Sequence, residues 1–203
     1  MPQAAALDIV PATVDRFDDV SELLGSSGEA GCWCQAWRGL DAKRLSGGRS
    51  RSELLREQMQ RHPPPGFLAD LDGLPVGWVG VGVRTQTPRL LNSRTIPLVD
   101  TQPFWAIGCF RIRPGYRRRG IATALLDGVI EEARKADAPG IEAYPIDPEG
   151  RRVDVGFAYV GIASMFDAAG FERVLVTKAH SAGLPRLLVR LDLTKPERSS
   201  TAR

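Results

Sequence analysis

The chain has 203 residues, enough to bury a core of its own without disulfides or metal ions. Hydrophobic residues make up 43% of it and charged residues 25%, as in ordinary globular proteins, which excludes a disordered or fibrous chain. The net charge of +3 is mild, and no basic stripe is interleaved with aromatic residues, so we expect no nucleic-acid partner.

Three cysteines, Cys32, Cys34 and Cys109, do not form a disulfide framework for a domain of this size, which indicates a reducing compartment. No stretch approaches the roughly 18 apolar residues of a membrane span, and the N-terminus lacks the basic region of a secretory signal. We therefore expect a cytoplasmic protein without a membrane partner. His62 and His180 have no ligand spacing, so no metal site is expected either.

Hydrophobic spacing predicts the elements in chain order. Strands are expected over residues 6–10, 67–71, 75–83, 105–113, 141–144, 171–176 and 187–191, and helices over 13–24, 52–61, 121–136 and 160–169. Asp72-Gly73 predicts a hairpin, and Gly170 ends the last helix. Residues 25–50, with room for one short helix, and 84–103 are predicted loops. Residues 1–194 are expected to form a single domain, and the polar tail 195–203 is expected to be disordered.

A basic loop containing Gly120 joins the strand at 105–113 to the clearest helix. The first turn of a helix presents unpaired N–H groups and the positive end of its dipole, which favours an anion there. Gly120 allows the backbone to approach a phosphate closely, and Arg117, Arg118 and Arg119 add charge and forked donors. The alternative is that this basic run is a solvated turn.

Arg117-x-x-Gly120-x-Ala122 resembles the pyrophosphate loop of the GNAT superfamily of acyl-CoA N-acyltransferases. Phe166-Asp-Ala-Ala-Gly170-Phe171 is similar to the helix-end signature of that fold, and Glu142-Ala-Tyr144-Pro145 falls where its fifth strand diverges from the fourth. Together with the Cys-x-Cys segment around Trp33, these motifs resemble one bacterial branch of the superfamily. The resemblance covers nearly the whole chain.

The resemblance implies an α/β fold whose central sheet is mixed, mostly antiparallel, of six or seven strands, splayed between strands 4 and 5 and flanked by about four helices. It implies acetyl-CoA as co-substrate, with the pantetheine arm along the fourth strand and the pyrophosphate over the basic loop. The residues expected to bind coenzyme A are Phe110, Ile112, Arg117, Arg118, Arg119, Gly120, Ile121, Ala122, Thr123 and Phe166.

By the same resemblance, the reaction is transfer of an acetyl group to the amine of a small-molecule or peptide acceptor, by direct attack. Such a transfer needs a base for the amine proton and benefits from an acid for the thiolate. The position that often holds a tyrosine acid in the superfamily is Phe166, which has no proton to give. Tyr144 and Tyr159 are candidate acids and Glu142 a candidate base. Their alternatives are structural hydroxyls and a carboxylate paired with an arginine.

Trp33 and Trp37 lie in the first long loop, where they either line the acceptor pocket or cap the core. The sequence is compatible with a homodimer and does not decide the oligomeric state. Since Phe166 stands at the tyrosine position, a non-catalytic acyl-CoA-binding module is the alternative function.

Overall fold

The computed structural model describes residues 6–38, 47–154 and 158–195. These residues form one seven-stranded sheet with helices on both faces. The strands are β1 Leu7–Pro11, β2 Gly66–Leu71, β3 Leu74–Val83, β4 Trp105–Ile112, β5 Gly140–Ala143, β6 Glu172–Ser181 and β7 Leu184–Asp192. The α-helices are α1 Phe17–Leu24, α2 Gln35–Arg38, α3 Arg51–Gln58, α4 Pro88–Leu91, α5 Ile121–Lys135 and α6 Ala163–Ala168.

The sheet has the order β1-β2-β3-β4-β5-β7-β6, and β4 and β5 are its parallel pair. Strand β5 pairs with β4 only from Trp105 to Ile107, although β4 continues along β3 as far as Ile112. The β3–β4 register shifts at Gly108, which forms a bulge where the two strands part. This arrangement confirms a mixed, mostly antiparallel sheet splayed between strands 4 and 5.

The core is divided between the two faces of the sheet because side chains alternate along each strand. On one face, α5 buries Leu125, Leu126 and Val129 against the main apolar cluster, which also contains Phe110 and Phe166. The opposite face carries α1 and a second cluster that includes Trp33 and Trp78. Glu142, Tyr144 and the loop before β4 also belong to this opposite face. The two faces therefore meet at the splay.

Several boundaries differ from the sequence prediction. The helix expected over 160–169 is shorter, because Gly161 has a left-handed backbone (φ +83) and separates α6 from a 3-10 turn at Ala158–Val160. Strands β6 and β7 are longer than expected and meet in a tight turn at Ala182-Gly183. Six α-helical segments occur in the described ranges, instead of about four, because two single-turn segments, α2 and α4, form inside the predicted loops.

The predicted tail lies outside the described residues from residue 196 onward, as do residues 39–46 of the first long loop. Within the described part of the chain, no helix has the length and apolarity that a membrane crossing needs.

Candidate functional site

The loop after β4 turns the backbone into α5 through left-handed conformations. Gly115, Arg118 and Gly120 have φ values of +88°, +61° and +78°, and Gly120 is the N-cap of α5. A side chain at Gly120 would meet nothing within 4 Å, so the requirement for glycine here is conformational. No side chain caps α5, and its first turn holds no acidic residue. The first N–H groups of α5 are therefore available to an external anion.

The three arginines of this loop are exposed, and none forms an ion pair within the described ranges. The Arg119 guanidinium lies over the Tyr116 ring at 5.2 Å, and Arg117 Nε makes a long hydrogen bond of 3.5 Å to the Ile112 carbonyl. The loop thus combines free cationic side chains with an uncapped helix end, which fits the charge and size of a pyrophosphate.

The other residues expected to bind coenzyme A differ in what they expose. Ile121 is buried in the main core, Ala122 packs against that core, and Thr123 is exposed on the first turn of α5. Ile121 therefore contributes only its backbone N–H to the helix end. Ile112 and Phe110 lie on the stretch of β4 that β5 leaves unpaired.

Phe166 occupies the space beside this stretch. Its side chain is fully buried, with ring centroids 6.2 Å from Phe110 and 5.2 Å from Phe171 in edge-to-face arrangements. A side chain at Gly161 would come within 2.7 Å of the Phe166 ring, so the left-handed turn fits closely over it. Phe166 is thus an apolar wall of the splay, without a group that transfers protons.

Two predicted catalytic residues, Glu142 and Tyr144, lie in a buried polar cluster. Glu142 Oε1 accepts hydrogen bonds from Arg84 Nη1 and the Tyr144 hydroxyl, and Oε2 accepts from Arg190 Nη2 at 2.9 Å and Nε at 3.1 Å. Arg190 also pairs with Asp100. Glu142 and Arg84 are fully buried and Tyr144 is 1% exposed. These contacts favour the alternative of a carboxylate paired with arginine.

The environment of Tyr144 opposes its ionisation. Burial and the adjacent Glu142 charge raise the pKa of Tyr144 well above its ordinary value. Its proton is donated to Glu142, and its oxygen accepts from Arg84 Nη1 at 3.0 Å. Sequence reasoning missed Arg84, Arg190 and Asp100. The sequence did contain a signal for Arg190, because a glutamate within an apolar strand needs a cationic partner. In the sheet, Arg190 lies directly opposite Glu142 on the neighbouring strand.

Tyr159 lies in a different environment, on the 3-10 turn that packs against β4. The side chain is half-buried, and its hydroxyl accepts a hydrogen bond of 2.5 Å from Arg186 Nη2. The Arg186 guanidinium lies 5.5 Å from the Tyr159 ring centroid and 5.2 Å from that of Trp37. The Tyr159 hydroxyl proton is donated to no partner in the described ranges, so it remains available.

The two loop tryptophans have separate environments. Trp33 is 6% exposed, stacks on Phe17 at 6.3 Å and donates its indole N–H to the Gly28 carbonyl, so it caps the core. Trp37 is half-buried and stacks on Tyr144 at 5.6 Å. A side chain at Gly108 would come within 3.0 Å of the indole, so Trp37 lies directly over the bulge where β4 and β5 part.

A cysteine pair lies beside this bulge. Cys34 Sγ and Cys109 Sγ are 3.1 Å apart, and Cys34 is buried. The hydrogen bond from Cys109, with help from the Arg38 charge, lowers the pKa of Cys34, whereas the same contact and burial raise the pKa of Cys109. Cys109 is partly buried, and the sequence gave no signal for this pairing. No cluster of three or more metal-ligating side chains occurs among the described residues.

A cleft next to the pair is lined by Cys34, Trp37, Gly108, Ala106 and Leu90. It lies on the face of the sheet that carries Trp37, beside the bulge at Gly108. The uncapped end of α5, the unpaired stretch of β4 and this cleft thus follow one another along a single path through the sheet.

The sequence matches the model of the Acetyltransferase (GNAT) family over residues 34–151, which is more than half of the chain. No curated protein matches it. Among solved structures, it is similar to a histone acetyltransferase HPA2 and related acetyltransferase from Corynebacterium glutamicum ATCC 13032. The identity is 18% and the TM-score 0.56, with 97% of this chain and 99% of that chain covered.

Two further structures have the same fold. One is the loading GNATL domain of CurA from Lyngbya majuscula, with 14% identity, a TM-score of 0.56 and coverage of 93% of this chain and 98% of that chain. The other is the NatC complex bound to Gag peptide and CoA, with 14% identity, a TM-score of 0.54 and coverage of 92% and 98%. The family match and the shared fold lead to one conclusion: this chain belongs to the GNAT acetyltransferase family.

Proposed function

We propose that the protein transfers an acetyl group from acetyl-CoA to the amine of a small-molecule or peptide acceptor, by direct attack within a complex of all three. Family membership supports acyl transfer from coenzyme A. The observation that carries the proposal is the path from the uncapped start of α5, along the unpaired stretch of β4, to the cleft under Trp37.

The residues of this chain have separate parts in binding. The N–H groups of residues 120–122, with Arg117, Arg118 and Arg119, would hold the pyrophosphate. The backbone of β4 from Gly108 to Ile112, unpaired on its β5 side, would hold the pantetheine arm, and Phe110 and Phe166 would exclude water beside it. Acetyl-CoA supplies the activated acyl group. Holding acceptor and thioester together is then the protein's main contribution to rate.

Tyr159 is the better candidate for the acid that protonates the departing thiolate. Its hydroxyl accepts from Arg186 and keeps its own proton free, and its turn packs against β4. Tyr144 donates its proton to Glu142 and has a raised pKa, which makes it a weaker acid. Both carboxylate oxygens of Glu142 accept hydrogen bonds, from Arg84, Arg190 and Tyr144. We therefore propose that water, and not Glu142, accepts the proton of the amine.

Acetyl-CoA and a library of amines test the proposal, with thiol release and product mass as the two measurements. We expect stoichiometric thiol release and an acetylated amine for one class of acceptor. Binding of acetyl-CoA without thiol release across the library would instead establish the alternative of a non-catalytic acyl-CoA-binding module. That alternative draws on the buried Phe166 at the tyrosine position.

A further inference from the structure

Arg186 is a buried cation that has no acidic partner in the part of the chain that the structure describes. It is 8% exposed, and among the described residues it forms no ion pair with a carboxylate. Only its Nη2 donates to a described partner, the Tyr159 hydroxyl, and Nε is buried without any hydrogen-bond partner. A buried charge of this kind is normally paired, because removing it from water is costly.

Arg190 provides an internal comparison. It lies four residues further along β7, on the same face of the sheet, because side chains alternate along a strand. Arg190 is held by two carboxylates, those of Glu142 and Asp100. The fold therefore neutralises one arginine of this strand from within, whereas the guanidinium of the other contacts two aromatic rings and one hydroxyl, and no carboxylate, within the described ranges.

Arg186 adjoins the candidate acceptor cleft through Trp37, one of the residues that line it. Its guanidinium lies against the rings of Trp37 and Tyr159, and both of these side chains are half-buried and so reach the surface. Trp37 also covers Gly108 at the bulge of β4. One indole thus contacts both the Arg186 guanidinium and the bulge where the sheet opens.

We propose that Arg186 binds a carboxylate of the acceptor, so that the acceptor is an amino acid or another small amine that carries a carboxylate. This inference rests on the proposed acetyl transfer for its reaction. A guanidinium matches a carboxylate with two parallel N–H donors. Among the described residues, Arg186 Nε is buried without a partner and Nη2 donates only to the Tyr159 hydroxyl, so a carboxylate that displaced this contact would gain two donors. The rings of Trp37 and Tyr159 would pack on the aliphatic part of such a molecule and keep water from the ion pair.

Matched pairs of amino acids and their carboxamides test this proposal. Each pair has the same amine and shape and differs in one negative charge. We expect the acid to bind the protein–CoA complex at least about tenfold more tightly than its amide by calorimetry, and to show a similar ratio in kcat/KM. The amine of the amide is the less basic of the two and is therefore more often unprotonated near neutral pH, so a preference for the acid does not follow from the supply of free amine.

Two variants assign this preference to one side chain. Arg186→Gln should reduce the acid-to-amide ratio to about one, whereas Arg186→Lys, which keeps the charge, should retain part of it. Arg173→Gln is the matched control, since it removes a surface arginine that pairs with Asp147 and Asp167. The melting temperature of each variant shows whether it folds.

The outcomes separate the two proposals. Equal affinity for acid and amide, absence of binding by every acid, or a ratio that survives Arg186→Gln would overturn the carboxylate site. Weaker coenzyme A binding by Arg186→Gln would also overturn it, because Arg186 would then serve a phosphate of the cofactor. Preferential binding of acids without thiol release would overturn the acetyl transfer and leave the site in place.

Discussion

At the scale of single residues, Gly120 combines two properties. Its φ of +78° is one that residues with a side chain adopt only with strain. The space that a side chain at this position would occupy, at the start of α5, is open. An anion bound to the first N–H groups of α5 would lie in that space.

Gly120→Glu should therefore weaken coenzyme A binding by about 3 kcal/mol, roughly a hundredfold, because it adds a negative charge and bulk where the pyrophosphate is proposed to lie. Calorimetry measures the change. Gly170→Glu is the control, since Gly170 has a similar φ of +85° and its side chain would meet one atom at 3.9 Å. Gly170 lies just before β6, at the edge of the sheet where β4 begins, whereas Gly120 follows the edge where β4 ends. Equal losses in both variants would contradict the assignment.

Tyr159→Phe should lower kcat by about 10²-fold while the affinity for acetyl-CoA changes little, because a proton donor is lost and the ring is kept. Tyr144→Phe should change kcat less, since the Tyr144 proton is already donated to Glu142. Steady-state kinetics of both variants decide between them. A larger effect at Tyr144 would reverse the assignment, and no effect at either would favour departure of the thiolate without an acid.

At the scale of elements, the segment from Gly25 to Arg38 contains two tryptophans with different contacts. Trp33→Ala should cost about 3 to 5 kcal/mol of folding free energy, because it removes a buried ring that packs on Phe17. Trp37→Ala should cost less and raise the KM of the acceptor, because the indole is half-buried over Gly108. Urea unfolding and steady-state kinetics measure the two effects. A KM effect at Trp33 with none at Trp37 would exchange the two roles.

The buried cluster of β5 and β7 should affect alkaline stability. Tyr144 has a folded-state pKa above its ordinary value, so its contribution is fully present below about pH 10 and is lost as the pH rises toward the folded pKa. Above about pH 10, the free energy of unfolding of the wild type should therefore fall relative to that of Tyr144→Phe, by up to about 1.4 kcal/mol per pH unit. Urea unfolding at about pH 8 and about pH 11 measures this difference. A constant difference between the two would contradict the raised pKa.

The sequence predicted the elements better than their ends, and the reasons are local. The helix at Ile121–Lys135 and the Asp72-Gly73 hairpin were predicted because apolar spacing and turn chemistry agree there. The Ala182-Gly183 turn was missed because alanine rarely adopts a positive φ, yet Ala182 has +53°. The helix predicted over 160–169 begins too early, because Gly161 has a left-handed backbone and packs closely over the Phe166 ring, which the sequence does not indicate.

The candidate site was predictable only where it is contiguous in sequence. The basic loop and its glycine lie within a few residues of each other and have a recognisable pattern. The partners of Glu142 come from residues 84, 100 and 190, and their meeting depends on the register of β5 with β7 and on an irregular loop. The Cys34–Cys109 contact depends in the same way on a bulge that no local signal specifies.

At the scale of the whole molecule, sheet order and chain order differ at one point: β7 lies between β5 and β6. Strands β1 to β4 form a meander of sequence neighbours, so they and α5 can assemble as they are synthesised. Strand β5 has to wait for a strand made about 50 residues later, and until then its outer edge is open.

The β6–β7 hairpin is therefore the last part of the sheet to be synthesised. Until β7 is made, Glu142 lacks one of its two arginines, Arg190, and the proposed acceptor wall lacks Arg186. A nascent chain stopped before Leu184 would then contain the whole of the proposed cofactor loop but not the complete sheet. The proposed cofactor loop is thus complete earlier in synthesis than the proposed acceptor wall, and until β7 is made the outer edge of β5 is an unpaired strand edge of the kind that promotes aggregation.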